Sequence, residues 1–406
     1  MNYIKGVDIS TLFEEEENGA KYYDGSDKPE QLLDILKRYG IESVRIRLWN
    51  DPYSESGVKY GAGTNDLEST LKLAKLAKDA GMTILYDFHY SDFWADPGKQ
   101  TMPKAWRGLG VEELEVKVYE YTKEVMTALK DNGTLPEYVQ VGNELTNGLM
   151  WPVGKKPESP DNTNNGYGNG YDNIARFVSA GIRAVREVSP DSKVMIHLDN
   201  GGNNPMYRDW FDNYLGRVRT EDGTVANCSI NQKDMKICGP VSFNEAEDFD
   251  IIGMSYYPFW HGTMQELDFN MHDMAARYGK PIVIAEVSMG FTMEDYGTYE
   301  GLAPDERKGM ATRAELCDKL DYPMTKQGQS DFMQEVMTMV KNVPGGSGFY
   351  YWEPAWIPVP NVGWANDAAL EYTGEKGPGG NEWANQALFD YEGNALPALC
   401  VIRDFK

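Results

Sequence analysis

Ser43-Val44-Arg45-Ile46-Arg47-Leu48-Trp49 alternates apolar and polar side chains with the period of a β-strand. Val44, Ile46 and Leu48 share one face, and Arg45, Arg47 and Trp49 share the other. Such a strand suits a parallel barrel, where one parity packs on helices and the other faces the interior, turning polar toward one end. Guanidiniums in a barrel interior are costly unless paired, so the run predicts carboxylates at the ends of neighbouring strands. Similar runs lie on either side of it, at 6–10, 83–89, 138–144, 193–200, 249–257, 281–287 and 347–352. Val7 and Ile9 alternate with Asp8 and Ser10, Asp87 and His89 share a parity, Gln140 and Glu144 oppose Val139 and Val141, and Glu286 is in step with Ile282 and Ile284.

Helical stretches separate these runs. Asp27-Lys28-Pro29-Glu30 opens one with Leu32, Leu33, Leu36 and Tyr39 on a side, closed by Gly40. Asn65 and Glu68 have capping-box spacing before Leu67, Leu71, Ala74 and Leu76, and Gly81 closes that helix. Amphipathic runs follow at 111–129, 172–188, 206–215, 264–278 and 330–340. Eight strand–helix alternations favour an α/β fold, a closed (β/α)8 barrel with long loops after the strands, over an open doubly wound sheet; the glycine-rich turn of a dinucleotide fold is missing after the first strand. No linker or internal repeat divides the chain, so 1–406 reads as one domain.

The 406 residues carry a formal charge of −24, which repels phosphate backbones and anionic membranes, so nucleic acid and membrane partners are not expected. No stretch reaches the ~20 apolar residues of a membrane helix. Strand-like sequence begins within a few residues of Met1, giving the expectation of a cytoplasmic protein, or an extracellular one if a leader was removed. Cys228, Cys238, Cys317 and Cys400 are too scattered for a disulfide scaffold, though Cys228 and Cys238 are near enough to bridge a loop. His89, His197, His261 and His272 form no zinc-ligand spacing, so no cofactor and no catalytic metal are expected.

A glycosidase needs two carboxyl groups across one bond, one protonated to donate to the leaving oxygen and one ionised to attack or to activate water. Glu144 and Glu286 each close an apolar strand, the fourth and the seventh, whose carboxyl ends open on the same face of a parallel barrel. Each could equally be a solvated loop acid; the pair across one barrel mouth is what favours catalysis.

Val141-Gly-Asn-Glu144 resembles the Asn-Glu pair of a large clan of barrel glycosidases. The strings Gly6-Val-Asp-Ile-Ser10, Arg47-Leu-Trp-Asn-Asp-Pro52, Asp87-Phe-His-Tyr-Ser-Asp-Phe-Trp-Ala-Asp-Pro97, Gly253-Met-Ser-Tyr-Tyr-Pro-Phe-Trp260, Ile284-Ala-Glu286, Tyr350-Tyr-Trp-Glu-Pro-Ala-Trp356 and Trp383-Ala-Asn-Gln-Ala-Leu-Phe389 resemble glycoside hydrolase family 53, the endo-β-1,4-galactanases, across nearly the whole chain. The resemblance implies retaining, endo-acting cleavage of β-1,4-galactan, type I arabinogalactan or galacto-oligosaccharides through a galactosyl-enzyme, with Glu144 as acid/base and Glu286 as nucleophile. It implies that Arg45 holds Glu286 ionised, that His89 lines the subsite of the cleaved sugar, that Asn143 bonds its 2-hydroxyl, and that Asn200, Tyr257 and Trp352 build the floor. In Tyr257's region Ser255 departs from the clan's usual histidine. Trp94, Trp106, Trp151, Trp260 and Trp356 follow strands and offer flat rings to pyranose faces along a groove.

The alternatives are another barrel glycanase of xylanase or mannanase type, a glycan-binding barrel that does not cut, and a metal-dependent barrel hydrolase. The resemblance implies, for many bacterial relatives, a calcium staple of the last two loops through an Asp-x-Asp-x-His-x-Asn run; here the matching stretch is Asp295-Tyr-Gly-Thr-Tyr-Glu-Gly301, with Asn381 and Ala384 in the second loop. Calcium asks for six to eight oxygens, so the expectation is no structural calcium, with the loops held by packing or more mobile.

Overall fold

The computed structural model describes residues 2–156, 170–215, 246–297, 314–376 and 380–406. All the strands read from the sequence are present: β1 (Ile4–Asp8), β2 (Ser43–Leu48), β3 (Thr83–Phe88), β4 (Tyr138–Val141), β5 (Lys193–Leu198), β6 (Ile251–Tyr256), β7 (Ile282–Val287) and β8 (Gly346–Tyr351). Each pairs in parallel with its sequence neighbours, and β8 pairs with β1 to close the barrel. Most strands stop one to three residues short of the sequence-based limits. Those residues, Trp49, His89, Glu144, Tyr257 and Trp352 among them, have left the ladder for the loops of one barrel mouth.

The barrel is wrapped by α1 (Leu12–Glu17), α2 (Leu32–Arg38), α3 (Leu67–Asp79), α4 (Val111–Asp131), α5 (Gly170–Val188), α6 (Asn204–Tyr214), α7 (Met264–Tyr278), α8 (Ala314–Cys317), α9 (Lys326–Asn342), α10 (Asp367–Thr373) and α11 (Pro397–Asp404). The capping signals locate starts to within a few residues. Asp66, not Asn65, caps α3, its Oδ1 accepting from Ser69 N at 2.7 Å, and α2 starts later than Pro29 suggests. α7 lies where it was read because Thr263 and Glu266 form a reciprocal capping box. α1, α10, α11 and the short hairpin Gly148–Leu149 with Gly154–Lys155 were not legible: α1 is a run of glutamates, and the others are too short to show a period. α11 is tied to the start of the barrel by Lys5, whose Nζ donates to Ile402 O and Phe405 O at 2.6 Å each.

Ile4, Leu85, Met195, Ile251, Val283, Ala285 and Tyr350 plug the barrel interior, while Val44, Ile46, Leu48, Val139 and Val141 join the larger core under the helices. Strict alternation would place Glu286 with Ile282 and Ile284, both in that outer core. The structure differs at this point. Met254 pairs with Ile284 but the next residue, Ser255, pairs with Glu286, so Ala285 is an extra residue in β7. This β-bulge re-aims the chain and turns Glu286 inward.

The loops after β7 and β8 are joined directly: Phe291 N donates to Asn385 O at 2.9 Å and Asn385 Nδ2 to Thr292 O at 3.0 Å. Asn381 donates to Trp356 O and accepts from Trp383 N, so its carboxamide is spent on loop geometry. Of the candidate calcium stretch only 295–297 is described, and the possible Cys228–Cys238 bridge lies outside the described residues. Cys400 is a free thiol. Among the described residues no helix is long and apolar enough to cross a membrane.

Packing of the plug yields a stability prediction. A Cβ added to Gly6 would lie 2.3 Å from a ring carbon of Tyr350, which is fully buried with its hydroxyl 2.9 Å from Ser43 Oγ. Gly6→Ala should cost about 1–3 kcal/mol in denaturant unfolding, the usual range for overpacking; an unchanged midpoint would mean that the ring moves freely.

Candidate active site

Side chains at the carboxyl ends of the strands line a cleft of ≈ 390 Å³. It brings together Arg45, His89, Trp94, Asn143, Glu144, Tyr257, Trp260, Glu286, Trp352 and Trp356. Asn200 is not among the lining residues: it sits in left-handed backbone at the start of the turn into α6, its carbonyl accepting from Asn203 N. Two rim tryptophans also lie elsewhere. Trp106 is buried edge-on against Tyr121, and Trp151 lines a separate depression with Thr101 and Arg107.

Glu144 reaches the cleft through a tight turn after β4. Gly142 has φ +88°, and a side chain there would meet Leu145 at 2.5 Å. Glu144 itself adopts φ +47°, a left-handed conformation that a non-glycine residue holds at some cost, as residues at functional sites often do. Its Oε1 accepts a 2.6 Å hydrogen bond from Ser255 Oγ. His197 stands behind, with Nε2 at 2.8 Å from Ser255 Oγ and Nδ1 at 2.9 Å from Gln140 Nε2, which fits a neutral imidazole protonated at Nε2. Burial holds His197 well below the ordinary histidine range, and nearby Arg45 adds to it.

Glu286 has very different company. Oε1 is 2.9 Å from Arg45 Nη1, and Oε2 accepts from the Tyr257 hydroxyl at 2.7 Å. Arg45 also bonds Asp8 and Asp87 at 2.8 Å each and Asn143 Oδ1 at 2.8 Å. Arg47, next along the same face, bonds Glu353 at 2.5 Å and lies 3.5 Å from Asp8. His89 is a satisfied interior histidine that also lines the cleft: Nδ1 accepts from Trp49 Nε1 and Ala95 N, and Nε2 lies 3.1 Å from Asp87.

The two acids are therefore poised differently. Burial pushes Glu144 well above the usual carboxylate range, and the neighbouring charges of Glu286 and Asp199 push the same way against the Ser255 bond. Burial also raises Glu286, to about 7, but Arg45 and the Tyr257 hydroxyl oppose it. Glu286 gives up its proton first. One carboxylate oxygen of each lies within 4.8 Å of the other, with a His197 nitrogen in the same cluster. His197 has both nitrogens engaged and Glu286 both oxygens, so these two already have partners within the protein.

Trp260, Trp383, Trp352 and Trp94 follow one another in ring contact at 5.9, 4.9 and 6.0 Å between centroids, with Trp356 against both Trp352 and Trp94. They form a continuous aromatic floor. Trp383, Glu353, Ser255 and His197 were not singled out as site residues. Glu353 carried the same signal as Glu286, a carboxylate just after a strand; Trp383 lies far from any strand, and no local pattern marks it.

The sequence model of glycosyl hydrolase family 53 matches residues 4–222 and 227–402. A Bacillus subtilis protein named endo-beta-1,4-galactanase is 35% identical over 421 residues, spanning 99% of this chain and 86% of that protein. A Humicola insolens arabinogalactan endo-beta-1,4-galactanase is 32% identical, spanning 98% of each. Among solved structures, the family 53 catalytic domain of Ignisphaera aggregans superposes with a TM-score of 0.80 at 34% identity, covering 99% of this chain and 96% of that one. The barrel, the paired acids and matches of this length together establish that the chain belongs to glycosyl hydrolase family 53.

Proposed function

We propose that the protein hydrolyses β-1,4-galactosidic bonds within galactan or type I arabinogalactan with retention of configuration, Glu286 acting as nucleophile and Glu144 as acid/base. The observation that carries this reading is the close approach of the two carboxylates, within 4.8 Å, in opposite electrostatic settings. Retaining enzymes hold the pair about 5–5.5 Å apart, with no room for a water between sugar and base.

The chemistry follows from the partners. Glu286 attacks the anomeric carbon as the bond to the leaving oxygen breaks, and the proton of Glu144 passes to that oxygen. Esterification removes the charge of Glu286, one of the influences holding Glu144 up, so Glu144 becomes a stronger acid and then serves as base. It takes a proton from water, whose oxygen attacks the anomeric carbon and frees Glu286 as carboxylate. The aromatic floor buries pyranose faces without charge, which suits a neutral polymer.

Reducing-end release should be strong on β-1,4-galactan and weak on xylan, mannan and cellulose; preference for another polymer would replace the substrate assignment while leaving the catalytic pair. Glu144→Gln should lower kcat on galactan by about 10²–10⁴, the usual worth of general acid–base catalysis. Glu286→Ala should abolish turnover, with azide restoring cleavage of an activated galactoside to the inverted azide product. Near-normal turnover in either variant would remove that residue from its role.

Because the nucleophile must be ionised, kcat/KM should fall as pH drops through about 7, the value to which Glu286 is raised. Glu144 must be protonated, so the alkaline limb lies above the acid one. An acid limb near pH ~4, the range of an unperturbed glutamate, would mean that Arg45 and Tyr257 outweigh the burial of Glu286.

A further inference from the structure

Two guanidiniums and several carboxylates share the barrel interior, and two of these acids, Glu286 and Glu353, are linked through the arginines. Asp8 is the shared member: its Oδ2 is 2.8 Å from Arg45 Nη1 and its Oδ1 3.5 Å from Arg47 Nη1. Arg45 Nη1 is also the atom that holds Glu286, at 2.9 Å, and Arg47 Nη1 the atom that holds Glu353, at 2.5 Å. Thr11 Oγ1 donates to the other oxygen of Glu353 at 2.6 Å. Glu353 is sealed from solvent and adopts φ +47°, the same left-handed turn that aims Glu144.

We propose that Glu353 is a positioning residue for the nucleophile: by occupying Arg47, it leaves Asp8 bonded chiefly to Arg45 and so limits how much of that guanidinium's charge reaches Glu286. The inference rests on the assignment of Glu286 as nucleophile. Removing the charge of Glu353 releases Arg47 toward Asp8, from which it is now 0.7 Å farther than Arg45 is. Asp8 then draws less on Arg45, and Arg45 stabilises ionised Glu286 more strongly. Loss of one negative charge from the interior acts in the same direction. Burial and the charge of Asp8 raise Glu353 to about 7 against the pull of Arg47, so the device operates in the same pH range as the nucleophile.

Other charged and titratable groups face this chain from every side. Arg45, Asp8, Asp87, Glu144 and Tyr257 surround Glu286, from the ends of β2, β1, β3, β4 and β6. Glu353 faces Arg47 and Asp8, and Glu15 of α1, a buried acid held well above its ordinary range mainly by burial. Arg47 also lies 4.3 Å from the ring centroid of Trp94, a cation–π contact beside its ion pairs.

The test is the pH dependence of kcat/KM on galactan for the full-length wild type, Glu353→Gln, Glu353→Asp and Thr11→Val. Glu353→Gln should move the acid limb down by about half to one pH unit, the size expected for losing one buried charge beyond direct contact. Glu353→Asp, which keeps the charge, should leave the limb within ~0.2 unit of wild type, well below that expected shift. Thr11→Val weakens ionised Glu353 without touching either arginine, and should shift the limb in the same direction as Glu353→Gln by a smaller amount; it serves as the readout where Glu353→Gln does not fold. Lower rates at every pH with the acid limb unmoved in Glu353→Gln, or in Thr11→Val where it takes that place, would reduce Glu353 to a structural ion pair and overturn the proposal. A wild type without galactan turnover would instead overturn the functional reading.

Discussion

Arg45 and Arg47 stand on one face of one strand with their guanidiniums sealed from water, and the arrangement of the barrel mouth answers the cost of putting them there. A buried cation with no partner would destabilise the fold by several kcal/mol. Asp8, Asp87, Glu286 and Glu353 come from four different strands to meet this pair. Such ion pairs add little net stability once desolvation is subtracted; what they supply is position. Arg45 alone engages Asp8, Asp87, Glu286, Asn143 and Gln140, so it fixes the nucleophile and the residue before the acid at once.

With Arg45 bonded to Glu286 and Arg47 to Glu353, no cation among the described residues bonds Glu144. Its side chain accepts a hydrogen bond from a serine backed by a neutral histidine. Two glutamates of the same chemistry therefore hold their protons with different strength, and the difference lies in their surroundings. The tryptophans complete the design at the other scale: Arg47 packs on Trp94 and Trp352, so the charged layer below and the aromatic floor above share a wall.

Much of this was legible in the chain. Alternation in 43–49 announced a parallel barrel and the need for carboxylates, and Glu144 and Glu286 were recognisable as strand-closing acids. What alternation could not show was where it breaks. The bulge at Ala285 and the left-handed turn at Glu144 are what aim the two acids, and both depart from strand geometry. Asn200 and Trp106 were placed by their position after strands, but Asn200 is not among the residues lining the cleft and Trp106 is buried against Tyr121. Ser255 was marked only as departing from a histidine and His197 only as a histidine without zinc spacing; their spacing to Glu144 is what reveals a role.

The claim on which the account depends is that these two carboxylates act by double displacement, and the configuration of the first product reports on it directly. Proton NMR of galactan digestion, recorded before mutarotation, should show the β-anomer of the new reducing end appearing first. Early accumulation of the α-anomer would mean a single displacement by water, and the short spacing between Glu144 and Glu286 would then have another explanation.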